Sequence, residues 1–330
     1  MIGGFANRAM TGSGSTHPRE ERRAGPMPLW VRVAAAIIRH QPRGRYVTTH
    51  LLSRWPAAPF WARLPDDLGG LYFRCNLRDH IMREVCFTGR YEPQETALLT
   101  HLLRDGMTFV DVGANWGYFS LVGSHLVGPS GRVVSVEADP RARAALRSNI
   151  ERNGLTTIDL LEVAASDRHG TLRLQEYAEG ASDSGNYGLT STTTIIEGGR
   201  RFEVAARPLD DALDEAGVDR VDVLKMDIEG GEALALRGLE RRLSAGHISQ
   251  IVLEVHPWHL QDRGSSVDEV VNALRGHGYE IWTIDHAPST ARRVAAGRLD
   301  ARATLAPLTG TADLGIWPHL LCSLAPVTIY

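Results

Sequence analysis

Lys225, Asp227 and Glu229 occupy alternate positions in the stretch LKMDIEGGE, and Glu254 and His256 repeat that i, i+2 relation in IVLEVHP. Alternation puts side chains on one face of an extended chain, so each set presents its ionisable groups together. Gly230 and Gly231 follow the first set, then Glu232 where a helix would begin; His259 follows Pro257 and Trp258. If the two stretches are neighbouring strands, about 4.8 Å apart, these groups converge at one edge of a sheet. Two kinds of chemistry suit them. Asp227 can hold an ammonium group while His256 or a carboxylate takes a proton from a hydroxyl. Alternatively Asp227, Glu229, Glu254 and His256 can ligate a divalent ion such as Mg2+, which the residues allow but do not require. A structural alternative has Lys225 neutralising the acids and Glu232 favouring a helix N-terminus. Of the 36 basic residues only Lys225 is lysine, so a compact charge at this one place stands out against an arginine background.

The element that must position this cluster starts in FVDVGANWGYFS, Phe109–Ser120. Phe109–Val112 is an apolar run suited to a doubly buried strand, interrupted by Asp111. Gly113, Ala114, Asn115 and Gly117 make a small-residue turn, and Trp116–Val127 has a helical apolar rhythm. Strand, glycine turn and helix open a doubly wound α/β domain, whose ligands sit at the carboxyl ends of the strands. Without side chains, Gly113 and Gly117 would let a ligand approach the backbone. A second strand, Arg132–Ala138, ends in Glu137 roughly twenty residues beyond the turn, where an acid accepts hydrogen bonds from two ribose hydroxyls. The turn is not GxGxxG: its third glycine is missing and Asn115 stands where a second would fall. Asn115 and Asp111 suit an amino acid moiety, so S-adenosylmethionine fits better than NAD. After a third strand, Asp167 can accept from an adenine amine with Ser166 alongside, or simply initiate a turn.

The totals are those of an ordinary globular protein, with 43% hydrophobic and 23% charged residues. A net charge of −3 argues against a nucleic-acid binder working by bulk electrostatics. Cys75, Cys86 and Cys322 are far apart with no CxxC, which fits a reducing cytoplasm. No apolar stretch reaches the roughly 18–20 residues of a membrane span.

Along the chain, residues 1–28 read as a disordered tail. Residues 29–70 read as an extension, with an apolar helix at Leu29–His40 and an irregular segment at His50–Pro65. The main domain is expected over 71–330. Its elements are a strand at Gly70–Asn76, a helix at Pro93–Arg104, a helix from Asp139 as N-cap to Asn153, and strands at Ile158–Ala165, Thr171–Tyr177 and Phe202–Pro208. A fourth core strand at Val221–Met226 leads to a helix at Gly231–Leu243. Ile248–Val255, Val267–His277, Tyr279–Ile284 and Cys322–Val327 then alternate as strand, helix, strand and strand. Residues 286–318 read as a lid or disordered insert. Asn186, Tyr187 and Gly188, in a long polar loop, are weak candidates to face a substrate.

FVDVGANWGYFS, VVSVEADP, NIERNGL, AASDRHG, LKMDIEGGE and IVLEVHP, with GRYEPQE upstream, resemble the ordered motifs of the FkbM-type S-adenosylmethionine-dependent methyltransferases over roughly residues 71–285. The resemblance implies a class I methyltransferase fold, a Rossmann-like seven-stranded sheet of order 3-2-1-4-5-7-6 with helices on both faces. It implies methyl transfer to oxygen, often on a sugar, macrolide or other secondary metabolite. Carried onto this chain, Asp111, Gly113, Asn115 and Gly117 would surround the methionine part, Glu137 the ribose, and Ser166 and Asp167 the adenine. Asp227 would lie between cofactor and acceptor. Lys225, Glu229 and Glu232 match the lysine–aspartate–glutamate motif, and Glu254 and His256 the last acidic strand. The expected partner is a small-molecule acceptor, with neither nucleic acid nor an integral membrane segment, and self-association is compatible. An N-methyltransferase, a metal-assisted O-methyltransferase and a non-catalytic cofactor-binding module are the alternatives.

Overall fold

The computed structural model describes residues 24–40, 45–52, 55, 57–176, 189–190, 201–312 and 314–326. The weak candidates Asn186, Tyr187 and Gly188, and most of the expected tail, lie outside these residues.

The N-terminal part is more regular than its sequence implied. β1 (Gly25–Pro26), β2 (Phe60–Arg63) and β3 (Tyr72–Cys75) form a small sheet. The tail therefore does not extend to Pro28, and the segment read as irregular contains a strand. Around this sheet stand α1 (Leu29–His40), α2 (Arg45–Leu52), α3 (His80–Thr88) and α4 (Pro93–Leu102). α3 was not anticipated; Asp79 caps it, accepting from the Met82 N–H at 2.8 Å. Val31, Ala35, Ile38, Phe60, Phe73 and Phe87 join Leu98, Phe109 and Val223 in one hydrophobic core. The extension thus covers one face of the main sheet.

The main unit then alternates strand and helix: β4 (Thr108–Val112), α5 (Tyr118–Val127), β5 (Arg132–Val136), α6 (Pro140–Asn153) and β6 (Ile158–Leu161). Asp139 caps α6, accepting from the Arg141 N–H at 2.9 Å, and Pro140 opens it as the sequence implied. The expected third strand breaks after Leu161. Its remainder, β7 (Ala164–Ser166), joins β8 (Gly170–Glu176), β9 (Leu189–Thr190) and β10 (Arg201–Pro208) in a side sheet of order β7-β10-β8-β9.

The chain continues through α7 (Leu209–Glu215), β11 (Val221–Met226), α8 (Glu232–Arg237), α9 (Glu240–Ser244) and β12 (Ile248–Glu254). α8 and α9 were expected as one helix. They separate at Gly238, whose carbonyl accepts from the Asp210 N–H at 2.8 Å. α10 (Pro257–Asp262), α11 (Val267–Gly276), β13 (Glu280–Ile284), α12 (Pro288–Ala295), β14 (Leu305–Pro307) and β15 (His319–Ser323) complete the described elements. The stretch 286–318, expected to lack regular structure, therefore carries a helix and a strand. The last strand starts at His319 rather than Cys322.

The main sheet runs β14-β13-β15-β12-β11-β4-β5-β6, with β15 antiparallel to β12 and β13. Without the edge strand β14 this is the expected 3-2-1-4-5-7-6 order. Doubly buried parallel strands explain the continuous apolar runs of β4, β5, β11 and β12. Polar groups inside this sheet are few and sit in register: Lys225 faces Asp111, Asp111 faces Ser135, and Glu254 faces His319.

Candidate active site

A cleft opens at the carboxyl ends of β4, β5 and β11. Its walls include Val112, Gly113, Asn115, Glu137, Asp227 and Glu229, with Val163–Ala165 and Leu172 and Leu174 of β8 closing the far side. Glu137 is buried at the end of β5. One carboxylate oxygen accepts from the Asn115 N–H and the other from the Asp139 N–H, each at 2.7 Å. Each oxygen keeps a second lone pair, so a pair of ribose hydroxyls can still be received. Burial pushes the Glu137 carboxyl up to about 7, against the pull of these backbone donors. The aliphatic far wall suits an adenine ring, and the Asp227 carboxylate an ammonium group. The cleft therefore fits S-adenosylmethionine.

The two glycines of the turn have another explanation than the one their sequence suggested. Gly113 has φ +83°, and a Cβ on it would stand 1.9 Å from the carbonyl oxygen of Asp227. Gly117 has φ +88°, and its Cβ would stand 2.2 Å from Cδ1 of Leu146. Protein atoms, not a ligand, take the space of the missing side chains. Gly113 still lines the cleft; Gly117 does not.

Asp111, Ser166 and Asp167 also stand outside the cleft lining. Asp111 is buried, accepting from the Ser120 hydroxyl at 2.6 Å, and Ser120 in turn accepts from Ser135 at 2.8 Å. Burial raises the Asp111 carboxyl above the usual range, with Lys225 opposing. Asp167 lies between Arg168 and Arg237, at 3.7 and 3.8 Å.

The acidic cluster itself comes together. Lys225 Nζ is 3.7 Å from Asp227 and 4.4 Å from the centre of the Phe119 ring. Burial works against the Lys225 charge, but Asp227, Glu92, Asp111 and Glu254 outweigh it and hold the amine above its ordinary range. His256 is the hub: Nδ1 is 2.8 Å from Glu232, and Nε2 lies 3.5 Å from Glu229, 3.6 Å from Glu254 and 3.8 Å from Asp227. Burial lowers the imidazole, yet Glu232, Glu229 and Asp227 together raise it to about 9. These carboxylates favour the imidazolium form of His256 at neutral pH. Glu254 is pushed up by burial, Asp227 and Glu92. Asp227, with a quarter of its side chain exposed, and Glu229 are the cluster's acids that reach the cleft.

Of the four residues weighed as metal ligands, Asp227, Glu254 and His256 offer atoms within 4.8 Å of one another, while Glu229 is not part of that group. Sequence reasoning missed Glu92, Glu95, His286 and His319 as neighbours of the cluster. The GRYEPQE stretch held the first two; nothing local marks the histidines, which tertiary pairing brings in. Glu92, Asn115 and Glu229 are the non-glycine residues with positive φ among the described residues. Asn115 and Glu229 line the cleft, and Glu92 acts on Lys225 and Asp227, so the strained backbone gathers around one site.

The fold and this site define a class I S-adenosylmethionine-dependent methyltransferase. The model of the methyltransferase FkbM domain matches residues 111–281, and the chain belongs to that family. It is 32% identical over 245 residues to the 31-O-demethyl-FK506 methyltransferase FkbM of Streptomyces tacrolimicus, covering 66% of this chain and 88% of that one. It is 30% identical over 126 residues to the 2-O-methyltransferase NoeI of Sinorhizobium fredii, covering 35% of this chain and 51% of the other. A solved methyltransferase FkbM from Methylobacillus flagellatus is similar over 87% of this chain and 62% of that one, at 17% identity and a TM-score of 0.42.

Proposed function

We propose that the protein transfers the methyl group of S-adenosylmethionine to a hydroxyl of a small molecule, such as a sugar, glycoside or other secondary metabolite. The observation that carries this reading is the position of Asp227. Its carboxylate lines the cofactor cleft and at the same time touches the buried cluster of Lys225 and His256. A methyl sulfonium needs little electrophilic activation; the acceptor oxygen must be held in line and relieved of its proton during transfer. Asp227 is the acceptor of that proton, with Glu229 beside it. Lys225 and the His256 imidazolium fix the carboxylates and balance their charge, and Glu254 completes the buried layer behind them. Glu137 holds the ribose, and Gly113 and Asn115 bound the methionine end. The names of the Streptomyces and Sinorhizobium relatives, both O-methyltransferases, support oxygen as the target.

The test is an acceptor screen with isotopically labelled S-adenosylmethionine, using glycosylated and polyketide alcohols beside matched amines. Methyl ethers formed from alcohols support the reading. Label appearing only on amines, or cofactor binding without turnover on any acceptor, sinks it.

A further inference from the structure

We propose that Glu95, His286 and His319 form a binding site for a transition-metal dication of the Zn2+ class. The three residues come from α4, from the loop after β13 and from the first position of β15. Glu95 is 1% exposed. Both imidazoles converge on one of its oxygens: Nδ1 of His319 at 2.7 Å and Nε2 of His286 in close contact. The two rings stack, with centroids 3.4 Å apart and planes within 5°.

A plain ion-paired triad accounts for the shared oxygen but not for its twin. Glu95 Oε2 is buried with no hydrogen-bond partner, and an unsatisfied buried carboxylate oxygen is costly unless something binds it. One donor atom from each residue lies within 4.8 Å of the others, a span that small shifts convert into a common coordination sphere. The far nitrogen of His319 stands 3.7 Å from Glu254, the carboxylate–histidine–metal relation that orients ligating imidazoles.

Donor chemistry selects the ion. Two imidazoles and one carboxylate leave coordination positions open and favour Zn2+, Co2+, Ni2+ or Fe2+ over Mg2+ or Ca2+. The neighbouring group of Asp227, Glu254 and His256 is poorer for such an ion, because it offers one imidazole and two carboxylates, a harder donor set. The proposal does not rest on the methyl-transfer reading.

The test is calorimetric titration of the full chain, stripped with a chelator, with Zn2+, together with visible absorption on adding Co2+. One Zn2+ per chain is expected, undisturbed by a large excess of Mg2+, and Co2+ should develop d–d bands. His286→Ala, at a loop position with a quarter of its side chain exposed, should weaken Zn2+ binding by about 100-fold or more while the melting curve stays cooperative. His256→Ala should leave Zn2+ affinity within a few fold. Absence of Zn2+ binding to the parent chain, unchanged affinity in His286→Ala, displacement by Mg2+, or loss in His256→Ala alone would each overturn the site. The readout is metal affinity, so its failure leaves the proposed reaction untouched.

Discussion

Nδ1 of His256 lies 2.8 Å from Oε1 of Glu232, with both side chains buried, joining the end of β12 to the first residue of α8. The same carboxylate oxygen accepts from the Gly230 N–H at 2.9 Å, so one acid ties down the turn that carries Asp227 and Glu229. Glu232 is thus a positioning residue for the cluster rather than only a favourable charge at a helix end.

This pair makes stability depend on pH in a defined direction. His256 is raised from 6.5 to about 9, so its contribution is fully present below 6.5 and is lost as pH rises through about 9. By linkage the full effect is roughly 3 kcal/mol. Urea unfolding from about pH 6 to about pH 10 should show the midpoint falling, and Glu232→Gln should flatten the fall. An equally steep fall in that variant would mean another group is responsible.

The protonation state of His256 also sets the form of the rate profile. As an imidazolium support it predicts a kcat that declines above about pH 9. Were it the general base, kcat would instead climb through that pKa to a plateau. Measurements at saturating cofactor and acceptor separate the two.

Asp227→Asn should lower kcat at saturating S-adenosylmethionine by about 10²- to 10⁴-fold, the usual value of a positioned base, and should also weaken cofactor binding, because the same carboxylate faces the ammonium group. Single-turnover measurement with a true acceptor checks this. An unchanged transfer rate would remove Asp227 from the chemistry.

Glu137 predicts a pH dependence for cofactor binding. With its carboxyl raised to about 7 by burial, protonation on the acid side removes the acceptor that the ribose needs. Affinity for S-adenosylmethionine should therefore fall as pH drops below about 7, approaching about tenfold per unit. Calorimetry on the parent and on Glu137→Gln tests it: the variant should bind weakly at every pH and lose the slope.

Gly113→Ala separates the two explanations of the glycine turn. A Cβ there meets the Asp227 carbonyl at 1.9 Å from a left-handed backbone, so β4 and the turn after β11 would be forced apart. A loss of about 2–4 kcal/mol in folding stability is expected even without cofactor. Undiminished stability with weakened cofactor binding would restore the view that the glycine serves ligand approach.

The resemblance of the ordered motifs to a known family supplied the strand order, while residue types and spacing singled out Glu137, Asp227 and the Lys225–His256 cluster. Periodicity marks doubly buried strands, and i, i+2 spacing keeps Lys225, Asp227 and Glu229 on one face whatever surrounds them. The N-terminal unit was harder to read, because α3 and β2 are stabilised by a shared core rather than by local pattern. Only tertiary structure decided the rest. It filled the space beside Gly113 and Gly117 with the Asp227 carbonyl and Leu146, and it turned Asp167 toward Arg168 and Arg237. It also decided the charge of His256, since the proton's free energy depends on the Asp227, Glu229 and Glu232 carboxylates of the turn and helix start after β11, and it brought His286 and His319 to Glu95 across about 200 residues of chain. Such contacts depend on burial and distance between remote strands, quantities that no local spacing of residue types encodes.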